Sequence, residues 1–258
     1  MPLLAGKILV GFVVGILIGM TGVGGGVLLL PVLIFGLRVP ALMAVGSDAL
    51  FNFFTKIPAS LLHLKRGTVR RKVVLALAVG SVPGSICGVN TLMYIRHVYG
   101  EGVNHFIKTA VGALLIVIPL LLLFQRRIEE SVANRPPTMQ GFAGMVVIGA
   151  VAGLLVGMTS VGSGSIIMML LLLFYSFPPK INVGTDIVHA VVMTGVTGFL
   201  HFRFGNVDPS LVMTLLIGSI PGGLIGSHLA TRVPMLWLRR ILCVLLLVTG
   251  ARMLWPAF

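Results

Sequence analysis

A duplication constrains this chain more than any other feature of its sequence. Gly11, Gly15 and Gly19 recur 138 positions later as Gly149, Gly153 and Gly157. The same offset carries Met20-Thr21 to Met158-Thr159, Val45-Gly46-Ser47-Asp48 to Val183-Gly184-Thr185-Asp186, His63 to His201, and Gly80-Ser81-Val82-Pro83-Gly84 to Gly218-Ser219-Ile220-Pro221-Gly222. About a third of the positions from Gly11 to Gly88 match their mates without a gap, and the matches include Asp, His and Pro, which chance pairing of apolar residues would not align. Two copies of one unit are expected.

Each copy is too apolar to fold in water. Hydrophobic residues make up 57% of the 258 and charged ones only 10%, with a mean hydropathy of +1.09, whereas an ordinary globular domain is about a quarter charged. A helix needs about 20 apolar residues to span the hydrocarbon. Five segments per copy satisfy or approach that length: 3–20, 24–37, 41–63, 73–95 and 104–124, then 141–158, 162–177, 181–202, 210–230 and 236–255. The reading is an all-α polytopic membrane protein. Repeat 1 covers 1–124, a linker with charges and Pro136-Pro137 covers 125–140, and repeat 2 covers 141–258, all within one integrated membrane domain.

Five is odd, so a second copy that follows the first enters from the opposite face. That predicts inverted-topology repeats, a recurrent design of secondary transporters. Charge sets the orientation. With the loop Lys65, Arg66, Arg70, Arg71 and Lys72 in the cytoplasm, twelve Lys and Arg fall on that side, the linker included, and six on the other. Both termini are then non-cytoplasmic, in a multi-pass protein of the cell inner membrane. The basic loop after His63 has as its mate Arg203 to Ser210, with one Arg and one Asp, as inversion requires. The formal net charge of +13 thus reflects topology and calls for no nucleic acid. Cys87 and Cys243 lie in apolar runs without a CxxC or Cys/His pattern, which indicates neither a disulfide framework nor a metal site.

Chemistry is expected where the helices break. Thr21-Gly22-Val23-Gly24-Gly25-Gly26 precedes the second segment, and Thr159-Ser160-Val161-Gly162-Ser163-Gly164-Ser165 precedes its mate. Past Gly26 about eleven residues remain before Leu37, about 16 Å of helix or half the hydrocarbon thickness. Broken helices or re-entrant hairpins fit that length. Non-helical backbone at membrane depth is tolerated only inside protein or beside a wet cavity. A helix that starts there directs free N–H groups at its surroundings, so two such tips meeting near the midplane would bind an anion. Close helix packing is the competing explanation, and it is preferred for the Gly11, Gly15, Gly19 series and its mate. Neither cluster is a Walker A loop, because no Lys-Ser/Thr follows.

The third segments carry polar stripes. Asp48, Asn52, Thr55 or Lys56, Ser60 and His63 share one helical face, and Asp186, His189, Thr194, Thr197 and His201 form the mate face. Lys56 has no counterpart, its mate being Thr194. A lone cation in one half of a pseudo-symmetric cavity would bias it toward anions, unless Lys56 pairs with Asp48 or snorkels to the surface. Asp48 and Asp186 are read either as braces, capping a helix end or accepting N–H groups from a tip, or as proton carriers. His63 and His201 fall at segment ends, where interfacial placement competes with a proton relay.

The run Gly-Met-Thr-Gly-Val-Gly-Gly-Gly, then Ala-Val-Gly-Ser-Asp, with Gly-Met-Thr-Ser-Val-Gly-Ser-Gly and Val-Gly-Thr-Asp in the second copy, resembles the sulfite exporter TauE/SafE family over nearly the whole chain. The resemblance implies a multi-pass permease, not an enzyme, that moves small anions, often sulfur-containing ones such as sulfite, sulfoacetate or other organosulfonates. Alternating access is the expected mechanism; the alternatives are an anion channel, or a cation or proton exchanger using the intramembrane Asp and His residues. Substrate binding is expected at Thr21, Gly22, Gly24, Gly25, Gly26, Asn52, Lys56, Thr159, Ser160, Gly162, Ser163, Gly164 and Ser165. Coupling or structural roles fall to Asp48, Asp186, His63, His189 and His201. The partners are the bilayer and the anion; no cofactor or metal is expected, and a homodimer is left open.

Overall fold

A computed structural model describes residues 2–21, 25–133, 141–175, 177–229 and 235–255, and among these described residues the only regular elements are helices. In order they are α1 (Pro2–Thr21), α2 (Gly25–Pro31), which runs into a π-helical turn (Val32–Gly36), α3 (Ala41–Lys65), α4 (Arg71–Tyr99), α5 (Gly102–Ala133), α6 (Phe142–Thr159), α7 (Ser165–Tyr175), α8 (Pro179–Arg203), α9 (Pro209–Leu229) and α10 (Met235–Leu254). These coincide with the ten expected segments. One boundary moves: α5 continues to Ala133, well past the expected end at 124. Most of the stretch read as a linker is therefore helix.

The duplication extends to the punctuation of the helices. Pro40 precedes α3 with φ −52° and ψ 139°; its mate Pro178 precedes α8 with φ −52° and ψ 137°. Proline excludes helical geometry from the residue before it and is well tolerated in the first turn of a helix, so both helices start sharply. The turns that follow these helices contain Gly67 at φ +65° and Gly205 at φ +71°, positions where a side chain would be strained.

Among the described residues five helical spans are long and apolar enough to cross a membrane: Arg71–Tyr99, Gly102–Leu121, Phe142–Thr159, Lys180–Arg203 and Pro209–Leu229. Their outward faces are apolar. Leu75, Val147, Ile217 and Leu224 are each more than 60% exposed, a surface that hydrocarbon solvates and water does not.

Two seams of small residues cross between the repeats. α1 packs on α9 and α6 packs on α4. A Cβ on Gly11, Gly15 or Gly19 would collide with main-chain atoms at Leu215, Ser219 and Gly223; on Gly149, Gly153 or Gly157 it would collide with main chain at Leu77, Ser81 and Ser85. The two sets are mates in the same register. Contact advances with the chain on both sides, so the partners run parallel. Lipid supplies no hydrophobic drive for helix association, which leaves close backbone approach and dispersion to hold such seams.

Mate helices pack antiparallel. Gly46 near the start of α3 meets His201 and Asn206 at the far end of α8, and Gly184 near the start of α8 meets His63 and Thr68 at the far end of α3. α5 and α10 cross at Gly112 and Gly250, themselves mates, with the Cys243 thiol 3.9 Å from the Pro119 carbonyl. The large core cluster joins α2, the π turn, α3, α5 and α9.

The seams predict a position-dependent response to one methyl group. Gly15→Ala and Gly153→Ala are each expected to lower stability by about 1–3 kcal/mol, the range for overpacking. Gly6→Ala in α1 should be neutral, because nothing lies within 4 Å of its Cβ position. Thermal unfolding of the detergent-purified variants measures the difference.

Candidate functional site: two tips against a polar stripe

The polar stripes face each other across the α3–α8 interface. On α3, Ser47, Asp48 and Asn52 are buried and Lys56 is half-buried. On α8, Thr185, Asp186, His189, Thr194, Thr197 and His201 are buried. A helical face so polar is stable in a membrane only when other protein groups meet it.

Those groups come from the break between α6 and α7. Ser160 leaves α6 in the left-handed region at φ +57° and Gly162 follows at φ +94°. A serine there costs energy that a glycine would not, and its hydroxyl bond to a carboxylate holds it: Ser160 Oγ donates to Asp48 Oδ2 at 2.7 Å. The Asn52 amide donates to the same oxygen at 3.0 Å and to the Asp48 carbonyl at 2.9 Å. The Lys56 ammonium donates to Ser163 Oγ at 2.8 Å and to the Ser163 carbonyl at 3.2 Å. Repeat 1 thus grips the tip of repeat 2 at two levels of one helix.

Glycine backbone approaches both carboxylates. A Cβ on Gly26 would stand 2.6 Å from the Ser160 carbonyl oxygen and 2.9 Å from Asp48 Oδ2; on its mate Gly164 it would stand 3.4 Å from Asp186 Oδ2 and 4.0 Å from Lys56 Nζ. The centre therefore collects two carboxylates, one ammonium, the start of α7 and the end of α6. α7 begins at Ser165, whose buried hydroxyl has no hydrogen-bond partner among the described residues. The first N–H groups of a helix are likewise free to bind an anion.

Of the residues singled out in the sequence, Gly26, Asp48, Asn52 and Ser160 form one group and Lys56, Ser163, Gly164 and Asp186 the other. Thr159 serves the turn itself, donating to Leu155 O at 2.7 Å and accepting from the Val161 N–H at 3.2 Å. Gly162 provides the turn's positive φ. Gly22 and Gly24 lie outside the described residues, and Thr21 and Gly25 are described only as helix ends. Neither aspartate caps a helix: both are interior to α3 and α8. Both accept from or adjoin the opposite elements through their side chains.

The histidines separate. His201 is fully buried in protein, in the last turn of α8, and its Nε2 donates to the Gly157 carbonyl at 3.1 Å. His63 is half-buried with Nδ1 2.8 Å from the Thr68 hydroxyl. His189 Nε2 lies 2.8 Å from Ser81 Oγ. Ser81 belongs to the repeated Gly-Ser-x-Pro-Gly motif, which the sequence shows only as part of the duplication. Ser47 and Thr185 were passed over as well. Ser47 Oγ accepts from the Asp208 N–H and Thr185 Oγ1 from the Arg70 N–H, each at 3.1 Å, so each repeat's third helix anchors the loop beyond the other's.

An apolar groove lined by Leu50, Phe53, Val192, Gly195, Phe199 and Phe202 runs along the same two helices. It lies on the other side of α3 from Asp48 and Asn52, since five residues turn an α-helix by about 140° beyond a full turn. Phe199 and Phe202 are mostly exposed there, a lining for lipid and not for an anion. Among the described residues no cluster of three or more His, Cys, Asp or Glu could hold a metal.

Comparison with known proteins agrees with this architecture. The profile of the family described as Sulfite exporter TauE/SafE matches residues 7–253. The chain is 35% identical to the probable membrane transporter protein YjnA of Bacillus subtilis, with 96% of this chain and 98% of that one aligned. It is 26% identical to the probable membrane transporter protein YunE of the same organism, over 96% of each. The probable membrane transporter protein MJ0441 of Methanocaldococcus jannaschii is 26% identical over 81% of this chain and 74% of its own length. No solved structure matches. The chain belongs to the sulfite exporter TauE/SafE family and is a multi-pass membrane transporter, not an enzyme.

Proposed function

We propose that this transporter is a secondary permease for small anions, sulfur-containing ones such as sulfite, sulfoacetate or another organosulfonate among them. It works by alternating access between two inverted repeats. The observation that carries the reading is the unpaired Lys56: a cation on α3, without a mate in the duplication, bonded to Ser163 immediately before the N-terminus of α7. Sulfonate and sulfite oxygens accept hydrogen bonds in several directions. The ammonium, the Ser163 and Ser165 hydroxyls and the first N–H groups of α7 are donors of that kind. The family's description as sulfite exporters favours the same class of cargo.

Inversion is supported by the antiparallel packing of mate helices, α3 on α8 and α5 on α10. The loop Lys65 to Lys72 then lies with Lys180 on the cytoplasmic side of the inner membrane, and Arg38, Arg96 and Arg203 lie opposite. Each end of the α3–α8 pair has its own clasp, Thr185 to Arg70 N–H at one and Ser47 to Asp208 N–H at the other. Opening one while the other stays closed would expose the centre to one side at a time. An anion released from inside a negative membrane potential leaves downhill, at about 2.3 kcal/mol per charge per 100 mV.

Counterflow in proteoliposomes tests the carrier. Preloaded unlabelled sulfite or sulfoacetate is expected to drive saturable uptake of the labelled anion; flux that neither saturates nor is trans-stimulated would indicate a channel instead. Lys56→Gln should cut counterflow by about tenfold or more, since losing a hydrogen bond to a charged group costs about 1.5–3 kcal/mol.

Sidedness has its own measurement. In a background of Cys87→Ser and Cys243→Ser, a cysteine replacing Lys65 should react with an impermeant maleimide only from the cytoplasm. One replacing Arg203 should react only from outside.

A further inference from the structure

The duplication lets the two aspartate sites be compared group by group, and they differ in one respect. Beside Asp186, the Lys56 ammonium stands 4.0 Å from the Cβ position of Gly164, so this carboxylate has a cation tethered to the protein next to it. At the mate site the glycine is Gly26 and the carboxylate Asp48, while the residue that would carry the tethered cation is Thr194. Its hydroxyl is spent within its own helix, on the Ala190 carbonyl at 2.7 Å. The Lys56 ammonium spends its hydrogen bonds on Ser163 and makes none to Asp48.

The surroundings of Asp48 are correspondingly rich in oxygen. Asp48 and Asn52 are both 0% exposed. The Ser160 hydroxyl and the Asn52 amide N–H groups are used on Asp48 Oδ2 and the Asp48 carbonyl. Asp48 Oδ1 and Asn52 Oδ1 remain with no hydrogen-bond partner among the described residues. The Ser160 carbonyl comes within 2.6 Å of the same Gly26 Cβ position that lies 2.9 Å from Asp48 Oδ2. Ser160 is the first residue past the C-terminus of α6, where the helix collects partial negative charge. A carboxylate oxygen and a main-chain carbonyl converging on one point at a negative helix end repel each other unless a cation lies between them.

Charge narrows the choice of ion. With both carboxylates ionised, two carboxylates and one ammonium leave the centre with one surplus negative charge, and buried net charge in a membrane is costly. One monovalent cation balances it, whereas a divalent ion would overshoot. Hard oxygen donors select an alkali ion over softer metals, and the tight glycine approach favours a small one.

We propose that Asp48, Asn52 and the Ser160 main chain form a sodium site, in which the ion takes the place that the Lys56 ammonium takes in the other repeat. The proposal rests on the transport reading only for its consequence: sodium bound here cancels the surplus negative charge before an anion arrives near Lys56, so the two would travel together.

The site is tested without any substrate anion, so its failure and that of the anion reading appear in different experiments. Purified full-length protein in gluconate buffer is titrated with ²²Na⁺ in a scintillation proximity assay. Saturable binding is expected. Asp48→Asn and Thr194→Lys should each weaken it by about tenfold or more; the second acts by supplying the tethered cation that repeat 1 lacks. Thr194→Ser should bind as the parent does. Size-exclusion profiles and unfolding temperatures identify any variant that fails to fold, and either of the two variants alone decides the matter. No saturable sodium binding by the folded parent, or binding that persists in folded Asp48→Asn or Thr194→Lys, overturns the proposal. Proton uptake in place of sodium binding overturns it equally.

Discussion

Hydrocarbon offers polar groups nothing to bond to, and the centre of this transporter is built around that fact. A stripe of Asp, Asn, Lys, Ser and His along α3 could not be left facing lipid, and neither could the mate stripe on α8. Each is met by the other and by the turn between α6 and α7, where Ser160 and Ser163 reach Asp48 and Lys56. The turn in turn depends on the stripe, since its left-handed serine is secured by the bond to Asp48. Breaking helices at membrane depth and placing charges beside them are therefore one design feature, not two.

Symmetry organises this centre and a departure from symmetry gives it polarity. Clasps at Ser47 and Thr185, glycine approaches at Gly26 and Gly164, and histidine contacts at Gly46 and Gly184 all recur under the duplication. Lys56 and Thr194 do not. The two ends of the α3–α8 pair are therefore alike, while the two halves of the centre between them carry different charge.

Much of this was legible in the sequence because membrane helices obey few rules. The offset of 138 residues and the apolar lengths sufficed for ten segments, and the helical period placed Asp48, Asn52 and Lys56 on one face. What escaped depended on contacts between distant parts of the chain. Nothing local says that Ser81 meets His189, or that Ser47 holds the loop at Asp208. Local patterns likewise did not show that His201, beside Arg203 near a segment end, is buried against Gly46 of α3 and Gly157 of α6. The extension of α5 to Ala133 was hidden by the charges in that stretch, which interrupt hydropathy but not helix propensity.

The two glycine seams also bear on how the molecule is assembled. Each half lends its opening helix to the other half's fourth, so neither owns a complete interior. During synthesis α1 must wait in the lipid, its glycine edge uncovered, until α9 has left the ribosome nearly two hundred residues later. A protein severed at the midpoint would consequently yield fragments that are stable only as an interlocked pair. An ancestor of half this length, if built the same way, would have required two copies that traded arms.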